Sequence, residues 1–220
     1  EGDTLEYELN ITLNSSDGVG SCTDNKGVIG SLTDESYTLA ENNYLECLSD
    51  NGYSYLWSVR AYDGELYSNW SDEWSLSVQS LIDLRLLNDS IDFGLIGPLS
   101  SENTADDNPS PFLLRNDGNS LTNISINATD LWTTEPNPSS YFRFKIDNKT
   151  GEEGAFDWSA STTEWTPVPN NSNTEVVVAR VEWNDSKDSF EVDLDVVVPS
   201  SESPGEKSSN ITFVGSLGEI

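Results

Sequence analysis

Between Tyr53 and Val78 the chain alternates. Tyr55, Trp57, Val59 and Ala61 fall on one side, and Leu56, Ser58, Arg60 and Tyr62 on the other. A period of two is that of a strand with one buried face. Asp63-Gly64 supplies a turn, and Leu66, Tyr67, Trp70 and Trp74 lead into a second strand ending at Val78. A hairpin so rich in aromatic residues needs a second layer over its apolar face, which commits this part of the chain to a layered β fold.

The same period recurs elsewhere. Leu5, Tyr7, Leu9, Ile11 and Leu13 alternate strictly, and Tyr37, Leu39, Tyr44, Leu45 and Leu48 approach the hairpin. After a short connection at 79–83, without a Pro/Gly/Ser-rich linker, strands are expected in two runs. The first covers the apolar stretch from Leu81 to Phe93, then Phe112–Arg115, Ile124/Ile126/Ala128 and Phe142/Phe144/Ile146. The second covers Phe156/Trp158, Val176–Trp183, Phe190–Val198 and Ile211/Phe213. Turn clusters such as Asn116-Asp117-Gly118-Asn119, Pro136-Asn137-Pro138 and Pro204-Gly205 separate them. Many short strands and no long 3.6-residue period give an all-β chain of two tandem β-sandwich domains, 1–79 and 82–220. On β-strand spacing, Asn123, Ser125, Asn127 and Thr129 face outward while Ile124, Ile126 and Ala128 face inward.

Tyr55-x-Trp57-x-Val59-x-Ala61, the Asp-Gly turn and Trp70-Ser71…Trp74-Ser75 together resemble the last two strands of a fibronectin type III domain. The resemblance covers residues 1 to 79. It implies that Tyr55 is the corner tyrosine, bonded back to backbone near Leu48. It also implies that Glu1–Leu13 corresponds to the third strand of such a domain, so that the first domain is incomplete and open to a donated strand. The Trp-Ser repeat is similar to the Trp-Ser element of cytokine-receptor type III domains, one residue longer. Arg60 is expected over Trp70 or Trp74, as a structural cation–π contact or, alternatively, part of a carbohydrate-binding platform. Ile91-Asp92-Phe93-Gly94, Leu114-Arg115-Asn116-Asp117-Gly118-Asn119 and the closing Pro199…Phe213 segment resemble immunoglobulin-like domains of archaeal and bacterial surface proteins. These domains serve as spacers and binding modules and rarely carry chemistry.

The charge narrows the partners. With 39 Asp and Glu against 10 Lys and Arg, the formal charge is −29. Nucleic acid and anionic membranes need basic patches, so neither is expected as a partner. No apolar run is long enough for a membrane-spanning helix. The start at Glu1-Gly2-Asp3 is expected of a processed or truncated form. Cys22 and Cys47 are the only cysteines; a disulfide between them, in an oxidising compartment, is expected, with two unpaired core thiols as the alternative. Asn-x-Ser/Thr sequons stand at Asn10, Asn14, Asn69, Asn88, Asn123, Asn127, Asn148, Asn170, Asn184 and Asn210, while Pro138 disqualifies Asn137. Ser and Thr make up roughly a fifth of the chain, yet close to half of its asparagines are sequons. That excess points to covalent N-glycans and an extracellular or cell-surface location.

Chemistry is harder to find. The chain has no histidine, which removes every nucleophile–histidine pair. There is no Gly-x-Ser-x-Gly element and no phosphate-binding glycine loop. Carboxylate pairs such as Asp72/Glu73 and Asp193/Asp195 are abundant, but small sandwiches offer no deep cleft between them. No enzyme and no cofactor is expected. Calcium remains open at Asp106-Asp107-Asn108 and Asn184-Asp185-Ser186-Lys187-Asp188, where ordinary Asx turns are the competing reading. Two functional expectations follow. One is a structural subunit of an extracellular filament, pilus-like fibre or surface layer that joins copies of itself head to tail. The other is an adhesion or carbohydrate-binding ectodomain of a secreted prokaryotic protein.

Overall fold

A computed structural model of the chain describes residues 5–14, 28–34, 36, 54–170, 175–184 and 186–218. Its regular structure is almost entirely antiparallel β, in three sheets. The contacts divide into two compact units, Glu1–Leu81 and Ile82–Ile220.

In the first unit, β1 (Glu6–Leu13), β2 (Val28–Leu32), β3 (Ser54–Tyr62) and β4 (Trp74–Ser77) form a four-stranded sheet in the order β2-β1-β3-β4. β1 and β3 run antiparallel without interruption from Glu6↔Tyr62 to Leu13↔Tyr55. That register places Leu9 opposite Val59 and Ile11 opposite Trp57 on one face. Glu8 faces Arg60, and Asn10 faces Ser58, on the other. The strands expected over Tyr37 to Leu48, and both cysteines, lie outside the described residues.

The second unit has two sheets. One follows the path β10-β9-β12-β7-β5, formed by β10 (Thr166–Pro167), β9 (Phe142–Asn148), β12 (Ser189–Val197), β7 (Phe112–Asn116) and β5 (Leu84–Asn88); β6 (Ser101–Asn103) adds a short pairing to β12. The other is β11-β8-β13, from β11 (Val176–Val181), β8 (Thr122–Ala128) and β13 (Ile211–Leu217). The alternation read from the sequence explains the burial. Phe142, Phe144 and Ile146 of β9 and Phe190, Val192, Leu194 and Val196 of β12 point into a core shared with Ile124, Ile126 and Ala128 of β8. Asn123, Ser125 and Asn127 point out, half-buried, as the sequence register required. Two sheets around one core are compatible with a β-sandwich.

Two local readings change. Phe156 and Trp158 belong to no strand: Trp158–Ala160 is a 3₁₀ turn whose N-cap Asp157 accepts from the N–H of Ser159 and Ala160. An acceptor placed to cap two backbone donors favours a turn over an extended strand. Ile91 and Phe93 also lie outside the strands, in an irregular segment, yet both pack against the core. The closing strand β13 pairs with β8 along its whole length, from Ile211↔Ala128 to Leu217↔Thr122, within its own unit.

The connection between β7 and β8 carries the chain from one sheet to the other, and Asn116 holds it. Its side chain is buried; Nδ2 donates to Ser120 O at 2.9 Å and Val181 O at 3.2 Å, and Oδ1 accepts from Gly118 N at 3.1 Å. A buried amide is tolerated because its bonds are made. Ile126 is fully buried in this core. Ile126→Ala is expected to lower unfolding free energy by about 2–5 kcal/mol, while Thr212→Ala on the exposed face of β13 stays within about 0.5 kcal/mol. Urea denaturation of both variants checks this.

Candidate functional site

The β1–β3 register gives the first unit two chemically different faces. On one, Ile11 and Tyr55 are buried, with Leu9, Trp57, Leu76 and Val78 packed against them. Beside them lies a cavity of ≈ 720 Å³, lined by Tyr7, Leu9, Ile11, Leu32, Trp57, Val59 and Leu76 together with the polar Glu8, Asp34 and Ser36. Trp74 belongs here too: it sits opposite Trp57 across β3 and β4, with ring centroids 4.9 Å apart. Among the described residues no second sheet packs on this side. Each large side chain left uncovered forfeits roughly 1.5–3 kcal/mol of burial.

The opposite face is a closed network. Arg60 Nε donates to Glu8 Oε2 at 2.6 Å. Its guanidinium lies 4.0 Å from the Tyr67 ring centre and 4.5 Å from that of Trp70. Tyr67 stacks on Tyr62 at 4.6 Å. The Tyr67 hydroxyl bonds Glu8, and chiefly for that reason its pKa is raised above the ordinary tyrosine value. Of the two rings expected over Arg60, Trp70 is there; Trp74 is on the other face, because β4 brings it into register with Trp57.

The repeat that builds this network is different from the one the sequence suggested. Ser71 N donates to Val59 O and Ser71 Oγ accepts from Val59 N; Ser68 does the same to Ala61 O and Ala61 N. Each serine thus occupies both backbone groups of one β3 residue. The working unit is an aromatic-serine doublet every three residues, Tyr67-Ser68 then Trp70-Ser71, with the rings on Arg60 and the serines on the strand. Tyr67, Ser68, Glu8 and Tyr62 were missed. The three-residue spacing of the doublets was the available signal.

Tyr55 is buried, at 3% exposure, and the backbone expected to receive its hydroxyl lies outside the described residues. Cys22 and Cys47 lie outside them as well. Among the sequons, Asn69, Asn170, Asn184 and Asn210 are exposed, while Asn10, Asn14, Asn88, Asn123, Asn127 and Asn148 are half-buried. Asn88 differs in kind: its Nδ2 donates to both Ser110 O and Pro111 O, so both amide hydrogens are engaged.

Each calcium-candidate loop holds an Asx turn, and Asp185 of the second lies outside the described residues. Asp106 Oδ1 accepts from Asn108 N, and Asn184 Oδ1 accepts from Ser186 N and Oγ. Among the described residues no group of three acidic or cysteine side chains is placed to hold a metal ion. Carboxylates do meet on the outer face of β12. Asp193 and Asp195 stand opposite Lys145 and Arg143 and pair with them, Asp195 at 2.7 Å and Asp193 at 3.2 Å. Glu191 has a carboxylate, Asp147, opposite it instead. Burial first, then Asp107, Asp193 and Asp147, push its pKa up to about 7. No helix in the described residues is long and apolar enough to cross a membrane.

No protein-family model matches this chain, and no curated protein or solved structure matches it either. What the fold and site define is an all-β protein with one unit closed around its core and one whose apolar face is open among the described residues.

Two outcomes test these assignments. Ser71→Ala removes the acceptor of Val59 N and is expected to cost about 1 kcal/mol, whereas Ser75→Ala, exposed on β4, costs almost nothing; chemical denaturation measures both. Glu191 has a folded-state pKa above its ordinary 4.5, so ionisation works against the fold. Stability is lost as pH rises from about 4.5 to about 7 and levels off above. Glu191→Gln is therefore expected to raise the unfolding temperature at pH 8 and leave it unchanged at pH 4.

Proposed function

We propose that this chain is a structural subunit of an extracellular, N-glycosylated filament, pilus-like fibre or surface layer, and that the first unit is completed by apolar chain from a neighbouring copy. The observation that carries this reading is the apolar face of β1, β3 and β4, on which no second sheet packs among the described residues and beside which lies a 720 Å³ cavity. We read the order β2-β1-β3-β4 as one sheet of a fibronectin type III-like sandwich, with Tyr55, buried on β3, as its corner tyrosine. The second unit, two sheets around one core, is read as immunoglobulin-like. A strand or docked segment from the next copy covers the face and restores the missing layer. Such a contact joins different surfaces of the two copies, so it repeats without closing and builds a fibre. Since β13 remains in its own unit, the donor is another segment or a docked domain.

Sequon density supports the extracellular assignment. Sugar is read onto the exposed Asn69, Asn170, Asn184 and Asn210, with Asn88 refused because its amide is occupied. The second reading, an adhesion or carbohydrate-binding ectodomain, is favoured by the exposed rings of Tyr67 and Trp70, which share one face.

Electron microscopy of native material, with peptide masses from the same sample, decides between them. Filaments or sheets whose peptides carry sugar at exposed sequons, with Asn88 bare, are the expected result. Dispersed single molecules, with the first unit closed by the same polypeptide, would overturn the polymer reading in favour of the adhesin.

A further inference from the structure

Edge strands in this protein are blunted in several ways. β11 is broken by register shifts and carries Arg180 at φ 57°. β5 shifts register between Leu86 and Asn88 and carries Arg85. β10 is two residues long and ends in Pro167. These are the devices that keep sheet edges from pairing with other chains. β13 has none. Ile211-Thr212-Phe213-Val214-Gly215-Ser216-Leu217 holds no charge and no proline, and it runs against β8 with no register shift.

The free side of β13 follows from its bonded side. Thr129 N donates to Asn210 O, and Gly218 N donates to Leu121 O. In an antiparallel ladder the residues bonded to one neighbour alternate with those whose backbone groups point the other way. The even-numbered residues therefore bond β8. Ile211, Phe213, Gly215 and Leu217 turn their N–H and C=O groups to the open edge, and among the described residues nothing hydrogen-bonds to them from that side. The side chains of Thr212, Val214 and Ser216 are exposed on the outer face, beside Asn123, Ser125 and Asn127 of β8. These six positions carry no charge in a chain of net charge −29.

We propose that β13 pairs antiparallel with β13 of a second copy, about a two-fold axis at Val214. The strand is self-complementary in that register. Phe213 falls opposite Gly215 of the second copy and Ile211 opposite Leu217, and all four have their backbone groups turned outward. On the outer face Val214 meets its own counterpart, and Thr212 meets Ser216, an apolar pair flanked by hydroxyl pairs. The ring of Phe213 lies across from the residue without a side chain, a pairing that favours strand register. A chain repelled by its own copies through its acidic surface can approach itself along an edge and face free of carboxylates. Phe213 and Ile211 keep their side chains on the core, so pairing needs no rearrangement. The contact uses the second unit alone and does not rest on what covers the open face of the first.

Cysteine cross-linking reads the register directly. Val214 and its counterpart form a non-hydrogen-bonded pair, with Cα atoms about 4.5 Å apart, within disulfide reach. Under mild oxidation Val214→Cys is expected to give a disulfide-linked dimer that the wild-type chain does not form. Thr212→Cys, whose counterpart is displaced along the strand, should stay single. In sedimentation, Val214→Glu places like charges opposite each other, and the mass of the smallest wild-type species should fall by half with the unfolding temperature retained. Raising salt from about 0.1 to 1 M, which shortens the screening length from about 10 to 3 Å, should strengthen wild-type pairing. A Val214→Cys chain that cross-links no more than Thr212→Cys, or a wild-type chain that keeps the mass of one chain at high protein and salt concentration, would overturn the proposal.

Discussion

The second unit is organised around β12, whose two sides carry opposite chemistry. Phe190, Val192, Leu194 and Val196 fill the core, and Glu191, Asp193 and Asp195 cover the outer side. The strand pairs with β9 along one side and with β7 and β6 along the other. A central strand bearing three carboxylates is tolerable only where cations and hydroxyls stand beside them. Arg143, Lys145 and Thr104 supply this. Thr104, fully buried, donates to Asp193 Oδ1 at 2.7 Å and accepts from Leu194 N at 3.0 Å. With only 10 Lys and Arg in the chain, their placement is informative. Asp193 and Asp195 have a cation opposite; Glu191 has Asp147 there, and burial first, with the carboxylates of Asp107, Asp193 and Asp147 adding to it, raises its pKa.

The two units differ in how they solve the burial problem. Around β12 the inward residues of two sheets interlock, and even the irregular 91–96 segment contributes Ile91, Phe93 and Ile96 to the core. In the first unit the described apolar cluster has Ile11 and Tyr55 at its centre. Its other face is locked by Arg60, Glu8 and two aromatic rings. That network fixes the residues after the Asp63-Gly64 turn against β3 and blocks the β3 edge with Ser68 and Ser71. Polar order on one side thus stands against an apolar side on which no second sheet packs among the described residues.

Much of the fold was legible because β alternation is a local signal. The inward and outward sets of β8, β9 and β12 follow residue by residue from the sequence, as does the turn at Asn116-Asp117-Gly118-Asn119. What could not be read depended on tertiary partners. The sequence marks Asn116 as a turn former, but its burial depends on Val181, far along the chain. The Phe156-x-Trp158 pattern imitates a strand until Asp157 is seen capping the turn. For the aromatic site, Arg60 was expected over Trp70 or Trp74, and it lies over Trp70, while Trp74 pairs with Trp57 on the other face. Counting along the Trp-Ser spelling gave no information about the register of β4 against β3.

The corner at Asn116 has a mechanical meaning. The chain comes into the second unit beside it, where Asp117 N donates to Asp83 O at 2.8 Å. It leaves β13 beside it too, where Gly218 N donates to Leu121 O at 2.7 Å. Ile82 packs so closely on Gly215 that a Cβ there would come within 3.0 Å of Ile82 Cγ2. Tension applied through residues 82 and 218 would thus act between two points at one end of the unit. The far ends of β9 and β12 would bear almost none of it. Yielding would begin by peeling β5 and β13, one ladder bond at a time, while the core remained whole. The unit would then yield from its edges inward, with the residues around Asn116 as the place where both pulled strands are held.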